Sequence, residues 1–304
     1  MFSDKSFPRV IDAVVPRVSW EVLAVSGDGC RTPLGLGTPC ATSPVAFPRL
    51  VTRQSESRCT PVASSPTGTP TAAELVNVIA LDGPAGTGKS SVSRSTAVAL
   101  GWRFVDTGAT YRAATLAVLR AGVDPEDADA VIREVRGAKV SLVTDPQAPT
   151  VLLDDEDVSQ EIRSAEVTAA VSAVSGVPAV RALLVELQRA AAGRQGAVVE
   201  GRDIATVVAP HAVLKVYLDA RPEVRARRRA GELASLGSVA GENGVTAVEA
   251  ALNKRDKRDG QTNKLRASDS AVHLDTSDLT LDQVVAAVVG LARGRGVLPA
   301  PSAP

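Results

Sequence analysis

The run Gly83-Pro84-Ala85-Gly86-Thr87-Gly88-Lys89-Ser90 fits GxxxxGK(S/T) at every fixed position, and it limits the fold more than any other feature of the chain. A short apolar run, Val78 to Leu81, precedes it and a helical pattern follows, which is the strand, loop and helix order the motif needs. Its glycines let successive backbone N–H groups turn inward around a polyphosphate, and the helix N-terminus adds about half a positive charge. Lys89 suits the β and γ phosphates, and the Ser90 hydroxyl suits Mg²⁺. Gly83, Pro84, Ala85, Gly86, Thr87, Gly88, Lys89, Ser90 and the following Ser91 are the candidate nucleoside-triphosphate contacts, with Ser90 the candidate metal ligand. Such a loop does not by itself separate a switch, a motor and a kinase.

From Val76 onward, short apolar runs alternate with helical patterns, the signature of stacked βαβ units around a parallel sheet. Strands are expected near Val78 to Leu81, Arg103 to Val105, Ala197 to Glu200, Leu214 to Leu218 and Val272 to Leu274. Their near-continuous apolar character suits strands covered on both faces. The fold class is therefore α/β: a P-loop core with a five-stranded parallel sheet, helices on both faces and a small β-rich insertion. The insertion is read from alternating Val140 and Leu142, then Val151 to Leu153, with Pro146 and Pro149 between. The last helix, about Leu281 to Arg293, opens with Thr280 and Gln283 in a capping-box pattern. Residues 1–75 are rich in Pro, Ser, Thr and Gly and read as a disordered leader. Met1 is the only methionine, so a start further along would need a non-ATG codon, such as one at Val76; both readings stay open. The expected organisation is leader 1–75, core 76–137, insertion 138–179, core 180–294 with an arginine-rich stretch at about 225–245, and a disordered tail 295–304.

Charge and composition exclude several classes. Thirty-four Lys plus Arg balance thirty-four Asp plus Glu, so no basic excess favours nucleic acid or anionic lipid. No run approaches the roughly 18 apolar residues of a spanning helix, which predicts a cytoplasmic protein without membrane or nucleic-acid partners. All three cysteines fall within the first 60 positions, and only His211 and His273 are present, which argues against thiolate, disulfide and histidine-metal chemistry in the folded part.

A second cluster of charges follows the other strands. Asp106-Thr107-Gly108-Ala109-Thr110-Tyr111-Arg112 comes after the second strand and Glu200-Gly201-Arg202-Asp203 after the third, at the sheet edge where ligands bind. Arg112 and Arg202 can form a fork for a second phosphate. Asp106 also reads as a helix N-cap, and Arg202-Asp203 as a local ion pair. Arg225, Arg227, Arg228 and Arg229 and the segment Arg255 to Asp259 put guanidinium groups at helical spacings; phosphoryl transfer needs such cations, although many charge runs are solvated faces. A monophosphate acceptor is already an oxyanion at pH 7, which suits a chain with two isolated histidines; Asp106 or Asp203 serving as a base for a hydroxyl acceptor stays open. Asn253-Lys254-Arg255-Asp256 matches the NKxD guanine-reading pattern, but Thr246 to Leu252 reads helical where a buried strand is required, and DxxG is absent.

Taken together, Leu81-Asp82-Gly83-Pro84, Asp106 to Arg112, Asp157-Val158-Ser159-Gln160-Glu161-Ile162-Arg163, Gly201-Arg202-Asp203-Ile204 and Lys254-Arg255-Asp256 resemble the bacterial cytidylate kinase family, from about Val78 to Arg293. The resemblance implies an adenylate-kinase-like core, a monophosphate-binding insertion, a short lid and transfer from ATP to CMP or dCMP with Mg²⁺ by a monomer. It implies a CMP site of Asp106, Thr107, Tyr111, Arg112, Ser172, Arg181, Arg202, Asp203, Arg255 and Asp259. Ser172, Arg181 and Asp203 would face the cytosine edge, Arg112 and Arg202 the phosphate, and Arg255 and Asp259 the sugar. Lys89, Arg225, Arg228, Arg229 and Arg255 would be catalytic, the lid arginines closing over ATP. Three departures stand out: Thr107 where serine is also common, Ala205 in place of a glycine, and Thr262 in place of an arginine, with Lys264 or Arg266 as substitutes. Other readings on the same core are a kinase for another small acceptor and a nucleotide-dependent switch without transfer.

Overall fold

The computed structural model describes residues 69–235, 244–262 and 267–299, all within one compact unit, Ala63–Pro304. Its centre is a five-stranded sheet of β1 (Val78–Asp82), β2 (Arg103–Asp106), β6 (Ala197–Glu200), β7 (Leu214–Asp219) and β8 (Val272–Asp275), in the order β2-β6-β1-β7-β8. All four pairings are parallel. Each of the five expected strands is present, β1, β2, β7 and β8 running one residue further than the apolar run suggests.

The continuous apolar runs resolve into two faces by period-two alternation. Ile79 and Leu81 of β1, with Val198, Leu214, Val216 and Leu218, pack under α1 (Lys89–Leu100) and α8 (Leu281–Arg293), represented by Val92, Leu100, Val284 and Val288. Val78, Ala80, Val105, Ala197 and Val199 face the other way, against Val185 and Ala192 of α5 (Pro178–Ala192) and the turn Ile204–Val208. Every residue of β1 and β6 is buried. The α8 capping box forms as expected, with Gln283 N–H donating to Thr280 Oγ1 at 3.3 Å and Thr280 N–H to Gln283 Oε1 at 2.9 Å.

Helices α2 (Thr107–Arg120) and α3 (Ala128–Gly137) precede the insertion, whose strands β3 (Val140–Val143), β4 (Thr150–Leu153) and β5 (Glu156–Asp157) make an antiparallel sheet. Only this first part of residues 138–179 is β-rich. A short turn, Glu161–Arg163, leads into α4 (Ala165–Gly176), where Val167, Val171 and Val174 repeat at helical spacing and are buried. The remaining helices are α6 (Pro222–Ser235) and α7 (Gly244–Thr262). Asn253 to Asp256 lie within α7, so the guanine-reading match is on a helix and not behind a strand.

Both ends of the folded part extend beyond their expected limits. Thr71 caps the turn Ala72–Glu74, Leu75 is fully buried in the core, and Glu74 pairs with Arg194 at 2.9 Å, so the last residues assigned to the leader belong to the fold. Val297, assigned to the tail, is buried beside α8. Residues 1–68 and 300–304 lie outside the described residues. Among the described residues no single helix is long and apolar enough to cross a membrane.

Candidate active site

The carboxyl ends of β1, β2 and β6 converge on one cleft, and the sheet register explains why. Leu81 pairs with Glu200 and Asp106 with Glu200, so the P-loop, the start of α2 and the segment after β6 leave the sheet at one level. Ala85, Gly86, Gly88, Lys89, Ser90 and Ser91 line one side of the cleft. Asp106, Thr107, Tyr111, Arg112, Ser172, Arg181, Arg202 and Asp203 line the rest, with Arg229 from α6 and Leu252 from α7. Residues drawn from more than a hundred positions of sequence thus share one cavity.

The loop itself is tightly seated. Gly83 has φ +148°, and a Cβ there would lie 2.1 Å from the Leu218 carbonyl oxygen; Gly86 has φ +81°, and a Cβ would lie 2.8 Å from the Arg225 carbonyl. Lys89 Nζ donates to the Pro84 carbonyl at 2.7 Å, folding the ammonium back onto the loop.

Asp106 is the N-cap of α2 and a residue of the cleft wall. Its carboxylate caps α2 by accepting from Ala109 N–H at 3.0 Å, and it also lines the cleft. Thr107 Oγ1 donates to the Glu200 carbonyl at 2.7 Å, so the hydroxyl shared with serine ties α2 to β6. Arg112 Nη1 donates to Thr168 Oγ1 at 2.9 Å and the Ile162 carbonyl at 3.1 Å, against the insertion. Arg181 pairs with Asp203, and its guanidinium carbon lies 5.7 Å from the centre of the Tyr111 ring. Arg202 Nη1 reaches the Gly83 carbonyl at 3.3 Å and Asp256 at 3.4 Å.

Two of the expected lid arginines sit elsewhere. Arg225 is buried beneath the P-loop and donates to the Ala85 carbonyl at 3.2 Å and to Asp256. Arg228 donates to Thr276 Oγ1 at 2.8 Å, to its carbonyl at 2.6 Å and to the Thr87 carbonyl at 3.4 Å. With α6 packed closely on Gly86, Arg225 bonds the loop directly and Arg228 bonds mainly Thr276 behind it, so they brace the cradle instead of closing over it. Only Arg229 of the three lines the cleft, where it pairs with Glu232 at 2.7 Å. The side chains of Arg255, Asp259 and Thr262, and residues Lys264 and Arg266, lie outside the described set. Ala205 is buried in the core with the apolar residues of β1 and β6, so its methyl replaces a glycine hydrogen on the core side and not against a ligand.

Three acids carry no assigned role in the sequence reading, where they are named only within motifs. Glu200, at 3% exposure, has neither carboxylate oxygen in a well-formed hydrogen bond. Burial pushes its pKa up, the neighbouring Asp106 carboxylate adds to the rise, and Lys89, Ser90 and Arg163 oppose it. The sequence signal was an acid ending an otherwise apolar buried strand. Asp82 accepts from Ile204 N–H and Ala205 N–H, both at 2.8 Å, and burial outweighs those bonds to push its pKa up to about 6. Asp256 on α7 accepts from Ala85 N–H at 3.3 Å while pairing with Arg202 and Arg225, gathering a cradle amide and two cations around one negative charge. Across the mouth, Arg163 and Glu232 lie 3.8 Å apart and half-exposed, a contact worth little by itself.

Chemically, the cleft offers backbone amides and a lysine at a helix N-terminus, and guanidinium groups facing them. A hydroxyl, Ser90, lies next to the buried Glu200 carboxylate. That arrangement can hold two anionic groups end to end and neutralise charge between them.

Comparison with known proteins gives a consistent result. The sequence profile of the family described as cytidylate kinase matches residues 79–294. The chain is 51% identical over 221 residues to the cytidylate kinase of Mycobacterium avium (strain 104), covering 72% of this chain and 96% of that protein. It is 52% identical over 211 residues to the cytidylate kinase of Rhodococcus opacus (strain B4), covering 68% and 91%. For the cytidylate kinase of Streptomyces griseus subsp. griseus the identity is 48% over 224 residues, covering 72% and 94%. Among solved structures, the shikimate kinase of Acinetobacter baumannii in complex with shikimate aligns over 73% of this chain and 95% of that one, at 15% identity and a TM-score of 0.34.

Proposed function

The chain belongs to the cytidylate kinase family, and from that premise we propose how its cleft carries out phosphoryl transfer from ATP to CMP or dCMP. The observation that carries the reading is that the P-loop and the set Arg112, Ser172, Arg181, Arg202 and Asp203 line the same cleft. ATP lies with its β and γ phosphates in the amides of residues 83–91, and Lys89 swings from the Pro84 carbonyl to those phosphates. Arg112 and Arg202 hold the CMP phosphate, while Arg181, Asp203 and Ser172 face the cytosine edge. Arg181 donates to ring acceptors; Asp203 and Ser172 accept from the exocyclic amine. UMP carries a carbonyl there, and opposing acceptors leave buried polar groups unpaired, which discriminates strongly.

An oxygen of the CMP phosphate attacks the γ-phosphorus in line; the bond to the β–γ bridging oxygen breaks, leaving ADP and CDP. No base is needed, because the acceptor is already ionised. Lys89, Arg229 and Arg202 stabilise charge on the transferring group, and Arg225 and Arg228 keep the loop's carbonyls turned away from it. The residues also fit Mg²⁺: Ser90 is a hard oxygen donor, and Glu200 next to it is a buried carboxylate with no well-formed hydrogen bond. Ser90, with Glu200 and Asp106 as adjoining acids, would hold the ion, which supplies positive charge to the phosphate oxygens when bound. Residues 138–179 as the acceptor-binding part, Arg229 as the arginine of the 225–245 lid segment that faces ATP, Arg255 and Asp259 at the sugar, and a cytoplasmic monomer complete the proposal.

An ADP-release assay with CMP, dCMP, UMP and AMP tests it. Turnover dependent on CMP or dCMP and much faster than with UMP is expected; its absence overturns the reading. Lys89→Ala should lower turnover by about 10³-fold or more in the same assay.

A further inference from the structure

Four hydrogen bonds stitch the opening of the P-loop to the segment after β6. Gly201 N–H donates to the Leu81 carbonyl at 3.0 Å and Arg202 Nη1 to the Gly83 carbonyl at 3.3 Å. Ile204 N–H and Ala205 N–H each donate to one oxygen of Asp82 at 2.8 Å. Asp82 ends a fully buried strand and is only 5% exposed, with apolar clusters on both sides of the sheet around it. Packing there calls for an apolar side chain. A buried carboxylate is costly, and its tolerated form is one satisfied by strong donors, here two backbone amides.

Those amides open the π-helical turn Ile204–Val208, a wide and rare geometry that begins directly after Arg202 and Asp203. Asp203 is therefore gripped from both sides, through Gly201 before it and residues 204 and 205 after it. Its carboxylate in turn pairs with Arg181, which lies beside the Tyr111 ring.

We propose that Asp82 is a positioning residue for base selectivity: by clamping the 204–205 backbone it fixes where Asp203, and through it Arg181, meet the acceptor base. The donor loop and the base reader are thereby one rigid piece. This rests on the reading of Arg181 and Asp203 as base-facing, and small misplacements of such groups are costly, about 10²-fold for 1 Å.

The test is steady-state kinetics of the full chain with CMP and UMP, for Asp82→Asn and Arg181→Ala side by side. Asn keeps the volume but presents an NH₂ to one of the two amides. Asp82→Asn should lower the CMP-over-UMP ratio of kcat/KM by about tenfold, mainly through KM for CMP, with KM for ATP within about twofold of the parent. If Arg181→Ala lowers the ratio and Asp82→Asn leaves it unchanged, the clamp is overturned and the base reading stands. If Arg181→Ala also leaves it unchanged, the base reading itself fails. A lower kcat or a higher KM for ATP at constant ratio overturns the clamp as well. Should Asp82→Asn not fold, Asp82→Ser is measured in the same way; failure of both to fold makes Asp82 a residue of stability alone and overturns the proposal.

Discussion

Glu200 and Asp82 are both buried acids at strand ends, yet they are satisfied in opposite ways, and their expected behaviour differs accordingly. Glu200 has no well-formed hydrogen bond and stands beside Asp106, so its charged form is favoured when a cation neutralises the pair. Glu200→Gln should raise the Mg²⁺ concentration needed for half-maximal rate several-fold while leaving thermal stability unchanged or higher; an unchanged Mg²⁺ profile would count against its place beside the ion. Asp82 is held by two amides, but burial still raises its pKa to about 6 from 3.8. The folded state then binds this proton more tightly than the unfolded chain. The contribution is fully present below the unfolded value and is lost as pH rises through the folded one. Between about pH 4 and 6 the parent should lose up to about 3 kcal/mol relative to Asp82→Asn, from roughly two pKa units of difference. Chemical denaturation of both proteins at several pH values measures this, and parallel curves would contradict it.

At the scale of elements, the P-loop is a packed object as well as a phosphate binder. Its first glycine lies against β7 and its third residue after that, Gly86, against α6, while Arg225 and Arg228 fasten its carbonyls from below. Gly83→Ala combines a φ that L-residues rarely adopt with a Cβ 2.1 Å from the Leu218 carbonyl, so β1 and β7 must separate for it to fit. The expected outcome is a loss of several kcal/mol of stability together with ATP binding, seen by thermal unfolding and nucleotide titration. A variant that binds ATP normally would show the loop to be looser than its contacts imply. The helix α6 supplies three arginines to two tasks, and their partners separate them: Ala85, Thr87 and Thr276 for Arg225 and Arg228, Glu232 for Arg229. Arg225 and Arg228 turn toward the loop and Arg229 toward the cleft.

For the whole molecule, the boundary of the fold has a measurable consequence. A chain beginning at Val76 would lack the fully buried Leu75 and the Glu74–Arg194 pair that a chain beginning at Thr69 retains. Loss of a buried leucine costs about 2–5 kcal/mol, which at this size lowers Tm by roughly 5 °C or more. Equal melting temperatures would place Leu75 outside the cooperative core. The sequence alone determined the five strands, the P-loop and the last helix, because burial on both faces writes itself as an unbroken apolar run and a phosphate cradle needs glycines at fixed spacing. It also marked Asp106, Arg112, Arg202 and Asp203 by their position just after strands. It did not show that α4 completes the insertion, since the prolines and alternating residues before it dominated the pattern. Nor did it show that Glu200 adjoins Asp106, that Asp82 clamps residues 204 and 205, or that Arg225 lies beneath the loop. Those facts were decided only by the tertiary structure. Side-chain direction along one element follows local periodicity, but which charges meet across a hundred residues depends on strand order and on where each helix docks.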